Sequence, residues 1–217
     1  MPTESGLWEV EQKFPLALSA GGISAGAGSA APLWSANLVT ANEIQAKLTQ
    51  LGAQWEAAIE QADHYFAHPC RDFRKSDEAL RLRRVGDDNV ITYKGPKLDT
   101  TTKTREEIEL SILPGAEGLQ QFQTLLERLG FVHVFVVRKT RLPGCLSYEG
   151  GEVHLALDTV EGLGDFLEIE VLAQKESLNT AKRSLESLGK ALELSITERR
   201  GYLDLLMQLS ARHKATD

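Results

Sequence analysis

The chain is built mostly of segments in which apolar and polar residues alternate. Trp8 to Phe14 reads W-E-V-E-Q-K-F, a strand pattern with Glu9, Glu11 and Lys13 on one face. Leu80 to Val85 alternates as well, and Gly86-Asp87-Asp88-Asn89 supplies turn chemistry before a returning strand, Val90 to Lys94. Arg105 to Leu113, Phe131 to Leu142, Val153 to Val160 and Phe166 to Leu172 are four more strand candidates; Gly150-Gly151 and Gly162-Leu163-Gly164 mark the turns between the last three. Helical spacing appears in four places. Ile44, Leu48 and Leu51 share a stripe on Asn42 to Leu51, and Leu119, Phe122, Leu125, Leu126 and Leu129 form the apolar side of a helix opened by Pro114-Gly115 and running to about Leu129. Glu176 to Leu192 and Glu198 to Leu209 close the chain as helices, and Gln54 to Phe66 fits either a helix continuation or a strand. This is an α+β pattern of about eight mostly antiparallel strands and about four helices.

Composition narrows the classes. At 217 residues, with 42% hydrophobic residues, the chain can bury a real core. Its 24 Lys and Arg against 31 Asp and Glu leave a net charge of −7, which argues against general binding to nucleic acid, where surplus cations must neutralise phosphates. No apolar run reaches the length of a membrane span. The Ala/Gly/Ser-rich stretch from Phe14 to Ala31 resembles part of a secretory signal, but Glu4, Glu9 and Glu11 stand where such a signal needs positive charge, and Pro15 and several glycines break it. It reads as a flexible loop. Two cysteines, Cys70 and Cys145, read as free thiols of a reducing compartment, so a cytoplasmic location is expected.

The strands share one oddity: charges recur two residues apart. Glu9, Glu11 and Lys13 are followed by Arg81 and Arg83, then Arg105, Glu107 and Glu109, then Lys139 and Arg141, then Glu168 and Glu170; Lys94 and Asp158 sit near the ends of their own strands. Period two puts each set on one sheet face. One wet face of an antiparallel sheet gives such alternation with no function. Almost wholly ionised faces on strand after strand fit better as the lining of a barrel or deep cleft, with helices over the apolar outside. Clustered carboxylates are hard oxygen ligands for Mg²⁺ or Mn²⁺, and clustered Arg and Lys bind phosphate oxygens. Both in one concave site point to a metal–phosphate ligand, whereas mutual salt bridging alone would be a weak source of stability.

These residues resemble the signatures of a known family. Glu9-Val10-Glu11-Gln12-Lys13 is similar to the E-x-E-x-K strand of the CYTH superfamily, the triphosphate tunnel metalloenzymes. In the same order follow Leu80-Arg81-Leu82-Arg83, Thr92-Tyr93-Lys94-Gly95-Pro96, Arg105 with Glu107 and Glu109, Lys139-Thr140-Arg141, and Leu157-Asp158 with Gly162 to Glu170. Tyr202 to Leu206 looks like the closing helix, and Asp63 to Phe73 with Lys94 to Glu109 is most similar to the class IV adenylyl cyclase branch. The resemblance implies an eight-stranded antiparallel tunnel over residues 7–210, an inserted loop at 17–40, a tail at 211–217, and a strand at Gln54 to Phe66. It implies divalent metal on Glu9, Glu11, Glu168 and Glu170 with Asp158 assisting. It implies triphosphate on Arg81, Arg83, Lys94, Arg105, Lys139 and Arg141, with Lys13 beside the reacting phosphate and Glu107 and Glu109 in support. Two departures stand out: the 17–40 loop is longer than the usual link, and Ala67 replaces an acid that many triphosphatases of the superfamily carry.

The expected activity is conversion of ATP to cyclic AMP and pyrophosphate with Mg²⁺ or Mn²⁺. The first alternative is a triphosphatase acting on inorganic, thiamine or nucleoside triphosphate. The second is a non-catalytic polyphosphate-binding module. No nucleic-acid or membrane partner is expected, and the amphipathic helices leave room for a homodimer. His64 and His68 read as surface histidines, and the glycine pair Gly162 and Gly164 as a turn.

Overall fold

The computed structural model describes residues 8–17, 38–97 and 105–214, with the side chains of 97, 105, 106, 213 and 214 left aside. Eight antiparallel strands form one continuous path, β1-β9-β8-β7-β3-β4-β5-β6, and a two-residue strand, β2, adds to β7. The strands are β1 (Trp8–Pro15), β2 (Gln54–Trp55), β3 (Ile59–Ala67), β4 (Ala79–Val85), β5 (Asp88–Lys97), β6 (Arg105–Ile112), β7 (Val132–Tyr148), β8 (Gly151–Val160) and β9 (Gly164–Ala173). The two ends of the path curl toward each other: Glu9 on β1 lies within electrostatic reach of Glu107 and Glu109 on β6. The expected antiparallel tunnel is the observed fold.

Period-two patterning sets its inside and outside. On β9, Leu167 and Ile169 are fully buried outside the tunnel, while Glu168 and Glu170 alternate with them and point in. Helices α1 (Ala41–Gln50) and α4 (Leu178–Ala191) cover the outer face of β1, β8 and β9, where Ile44, Leu48, Leu185 and Leu188 meet Val10, Phe14 and Ile169. The start of α1 is fixed by a capping box: Thr40 Oγ1 accepts from the Glu43 amide, and the Glu43 carboxylate accepts from the Thr40 amide at 2.8 Å. Helices α2 (Phe73–Ser76) and α3 (Gly115–Arg128) cover β4 and β5 through Phe73, Leu119 and Leu126 against Leu80 and Leu82.

Several boundaries differ from the sequence pattern. The ambiguous segment divides into β2 and β3, because Trp55 crosses β7 at Gly144, where a Cβ would come within 2.6 Å of the Trp55 ring. Helix α2 is too short to show a period, and an Asp72 side-chain cap and a left-handed Asp77 bound it. The last helix, α5 (Tyr202–Lys214), begins four residues later than expected and runs into the expected 211–217 tail.

Helix α5 also departs from the expectation that helices cover the outside. It packs on Val137, Val160 and Phe166. These share strand phase with Lys139, Asp158 and Glu168, so they face inward and α5 plugs one end of the tunnel. The base of the inserted loop is tied by a parallel bridge between Ala17 and Thr40; residues 18–37 of that loop lie outside the described residues. Among the described residues no helix is long and apolar enough to cross a membrane.

Candidate active site

A cavity of about 570 Å³ occupies the tunnel. Strand β1 contributes Glu9, Glu11 and Lys13, and β9 contributes Glu168 and Glu170. Arg81 and Arg83 enter from β4, Lys94 from β5, Glu107 and Glu109 from β6, and Lys139 and Arg141 from β7. Arg105 opens β6 opposite Lys97, and its side chain is outside the described residues.

Strand register, which period-two patterning leaves open, matches most bases with an acid directly across the ladder. Arg83 faces Asp63, Lys94 faces Glu107, Arg141 faces Asp158 and Lys13 faces Glu168. Arg83, Lys94 and Arg141 close on these partners in charge-assisted hydrogen bonds. Arg83 grips Asp63 with two bonds of 2.6 and 2.7 Å, Lys94 Nζ lies 2.6 and 2.7 Å from the Glu107 oxygens, and Arg141 grips Asp158 at 2.7 and 2.6 Å. Arg141 also bonds to Glu168. The bases are therefore counter-charged as well as cavity-lining, so salt bridging and ligand binding are both built into the same side chains.

Asp158 sits differently from the other acids. It is 1% exposed and lies behind the cavity wall, with its oxygens bonded to Arg141, to Lys139 Nζ at 2.8 Å and to the Tyr202 hydroxyl at 3.0 Å. The sequence grouped it with the metal carboxylates; the structure makes it the counter-ion that fixes two bases. Burial lowers the Lys139 ammonium below the usual lysine range even though Glu168 and Asp158 pull the other way.

Asp63 has the same function two strands away, on β3, and was not among the sequence candidates. Burial alone would raise its pKa, but the Arg83 hydrogen bonds and the charges of Arg81 and Arg83 hold it at about 2. Its position two residues from Tyr65 on a lumen-facing phase was the available signal. Tyr202 was the other omission. It looked like part of a covering helix, yet its ring packs on Phe166 and its hydroxyl reaches Asp158.

The remaining carboxylates repel one another. Glu11 lies directly across from Glu170, like charge against like, with Glu9 and Glu168 nearby. Burial, then Glu9, Glu11 and Glu168, push the Glu170 carboxyl up to about 8. Burial and Glu107 raise Glu9, outweighing the Lys94 ammonium. The carboxylates stay crowded even with Arg141 on Glu168 and Lys94 near Glu9, and their oxygen donors suit a hard divalent cation. Among the described residues no three of these groups converge into a ready cage.

Arg81 carries the clearest unfilled demand. Its Nη2 donates to Thr92 at 3.1 Å and its Nη1 is 3.6 Å from Asp63, while its buried Nε has no hydrogen-bond partner. His64 and His68 are half-buried rather than plain surface groups: His64 bonds Gln123, and His68 Nδ1 accepts from the Cys70 and Arg71 amides.

Known proteins share this fold. The CYTH domain model matches residues 37–202. A Methanocaldococcus jannaschii protein named as a candidate adenylate cyclase is 37% identical over 169 residues, which is 76% of this chain and 91% of that one. A solved structure from Pyrococcus horikoshii OT3 aligns with a TM-score of 0.71 at 36% identity, covering 92% of this chain and 98% of that one. A Hippeastrum protein titled as a candidate adenylyl cyclase with a dominant triphosphatase activity has the same fold, with a TM-score of 0.56 at 14% identity over 93% of this chain and 95% of that one. The family match begins after β1, but β1 pairs along its whole length with β9 and brings Glu9, Glu11 and Lys13 to the same cavity. On the family match and the Methanocaldococcus relative together, the chain belongs to the CYTH domain family.

Proposed function

We propose that this chain is a divalent-metal-dependent enzyme acting on a triphosphate, of the class IV adenylyl cyclase kind, which converts ATP to cyclic AMP and pyrophosphate. One observation carries the reading: five bases, Arg81, Arg83, Lys94, Lys139 and Arg141, line the same cavity as Glu9, Glu11, Glu168 and Glu170, where burial and crowding push the Glu170 carboxyl up to about 8. Membership of the CYTH family supports it, and so does the name of the Methanocaldococcus relative.

In this reading Mg²⁺ or Mn²⁺ would sit among Glu9, Glu11, Glu168 and Glu170 and take one or two of these carboxylates directly. Bound there, the ion supplies charge that neutralises phosphate oxygens and stabilises the leaving pyrophosphate. Arg81, Arg83, Lys94, Lys139 and Arg141 bind the triphosphate oxygens, with Arg105 as a further candidate. Asp63 and Asp158 hold three of these bases in place before substrate arrives, so little reorganisation is left for the reaction. Lys13 donates to the phosphate under attack. The 3′-hydroxyl attacks the α-phosphorus, the bond to the β-phosphate oxygen breaks, and the hydroxyl proton leaves to solvent. The protein's part is alignment and charge, which dominate phosphoryl transfer.

A triphosphatase is the second reading. The charged lining engages phosphate whatever it is attached to, and the same fold accompanies a triphosphatase activity in the Hippeastrum protein. Here water attacks the terminal phosphorus and orthophosphate leaves. A binding module without turnover is disfavoured because the acidic row is intact.

Incubation with Mn²⁺ and either ATP or inorganic triphosphate separates the readings. Cyclic AMP and pyrophosphate without orthophosphate is the expected result. Orthophosphate alone transfers the assignment to a triphosphatase, and binding without any product removes the enzyme reading.

A further inference from the structure

We propose that Glu198 and Arg200 are positioning residues for Lys13: their ion pair locks the backbone carbonyl that holds its ammonium. The proposal rests on the triphosphate reading above and adds to that site a device that neither the charge pattern nor the family signatures singled out.

Lys13 is gripped at both ends by one short segment. Strand β1 ends the strand path, and at Lys13 the link between α4 and α5 takes the place of a further strand. The Glu198 amide donates to the Lys13 carbonyl oxygen at 2.7 Å, and the Lys13 ammonium donates to the Arg200 carbonyl oxygen. The peptide between Arg200 and Gly201 is itself fixed on both sides: its oxygen accepts from Lys13, and its N–H donates to Asp204 at 3.1 Å. A peptide unit is planar, so these two bonds set the direction of the carbonyl.

The side chains of Glu198 and Arg200 serve this turn rather than the cavity, which neither of them lines. The Arg200 guanidinium turns back on the Glu198 carboxylate, with Nε 2.8 Å and Nη2 2.5 Å from its oxygens, and Nη1 donates to Gln208 on α5. The Arg200 amide adds a third bond to Glu198 at 2.8 Å. Exposed ion pairs contribute little. Glu198 is 6% exposed, so its carboxylate has to be paired, and its partner is the residue whose carbonyl meets Lys13. The need for such a lock lies in lysine itself, whose ammonium is a point charge on a flexible stem. A displacement of about 1 Å at a reacting group can cost on the order of 100-fold in rate.

The test uses Glu198→Gln and Arg200→Ala in the full chain, both of which leave the backbone carbonyl in place. With Mn²⁺ and whichever triphosphate the wild type consumes, each should lower kcat about tenfold and keep KM within about twofold. Arg199→Ala, at the exposed position between them, should match wild type. The second readout is acetylation of the folded proteins by acetic anhydride, located by mass spectrometry. Lys13 and Lys139 are both buried. Labelling of Lys13 should rise several-fold in the two variants, and that of Lys139 should stay at the wild-type level. An unchanged kcat, a loss carried by KM, or unchanged labelling of Lys13 overturns the proposal. So does a parallel rise at both lysines, which marks general loosening. If the wild type consumes no triphosphate, the enzyme reading falls, and the labelling alone decides whether the pair holds Lys13. The Arg200 side chain is 43% exposed, so its variant keeps the test valid if Glu198→Gln folds poorly.

Discussion

The ammonium of Lys13 stands 4.2 Å above the ring centre of Tyr202, and its Nζ donates to the carbonyl oxygen of Arg200. Two segments nearly two hundred residues apart thereby fix one buried cation at the inner end of the cavity. Lys139 lies 5.2 Å from the same ring, and the Tyr202 hydroxyl donates to Asp158. Tyr202 is a positioning residue for both lysines. A cation–π contact of this kind contributes about 0.5–2 kcal/mol. Tyr202→Phe keeps the ring and should hold kcat within a few-fold of wild type. Tyr202→Leu should lower kcat about tenfold at little change in KM. Steady-state kinetics of both variants beside their melting curves decide the point; equal losses in the two would sink it.

Glu9→Gln and Lys13→Ala address the proposed chemistry directly. Each should abolish turnover, and circular dichroism should report an intact fold. Full activity in both would remove the strand from the active site.

Acid sensitivity should trace in part to Asp63. Its folded pKa of about 2 lies below the ordinary value of 3.8. A depressed carboxylate stabilises the fold above the unfolded pKa, and that stability is lost as pH falls from about 4 toward 2. The linkage is worth roughly 2 kcal/mol at neutral pH. Asp63→Asn also leaves Arg83 buried beside a neutral partner, so the variant should be destabilised by about 3 kcal/mol at pH 7. The gap from wild type should narrow on acidification. Urea unfolding between pH 2 and 7 measures it, and a constant gap refutes the assignment.

The carboxylate cluster predicts the opposite slope. Glu170 titrates at about 8 in the fold against an ordinary 4.5. A raised carboxylate favours the fold below its unfolded pKa, and this contribution disappears as pH climbs through 8. In EDTA the melting temperature should therefore decline from pH 5 to 9, and less so in Glu170→Gln. Mn²⁺ at pH 8 should raise the wild-type melting temperature by several degrees and the variant's by less. Matching profiles for the two proteins would falsify the placement of Glu170 in a cation site.

Gly144 tests the division of β2 from β3. With Trp55 Cε3 2.6 Å from where its Cβ would be, Gly144→Ala forces the indole away from β7. Overpacking of this kind costs about 1–3 kcal/mol. Chemical denaturation should show that loss, and Trp55→Ala in the same background should recover part of it.

The residues of the candidate site were legible in the sequence to different degrees. Alternation is local, so it fixed which residues of each strand share a face: Glu9, Glu11 and Lys13, or Arg81 and Arg83, needed no tertiary information to be grouped. The family signatures added their order. Three features were beyond reach. Register determines which base meets which acid, and a shift of one residue along β3 would have put Ala62, not Asp63, opposite Arg83. The roles of Asp63 and Asp158 as counter-ions depend on that choice. Helix α5 is amphipathic in the ordinary way, and nothing in its spacing distinguishes a helix laid on the outside from one that plugs the tunnel. The depressed Asp63 arises from Arg83 and Arg81 on the neighbouring strand against the effect of burial, and the raised Glu170 from burial and the carboxylates around it; both exist only once the sheet has curled. The sequence by itself determined the alternating strands, their polar faces and the kind of ligand those faces suit. The tertiary structure decided which charges meet and how far each is shifted, because that depends on distances between residues far apart along the chain.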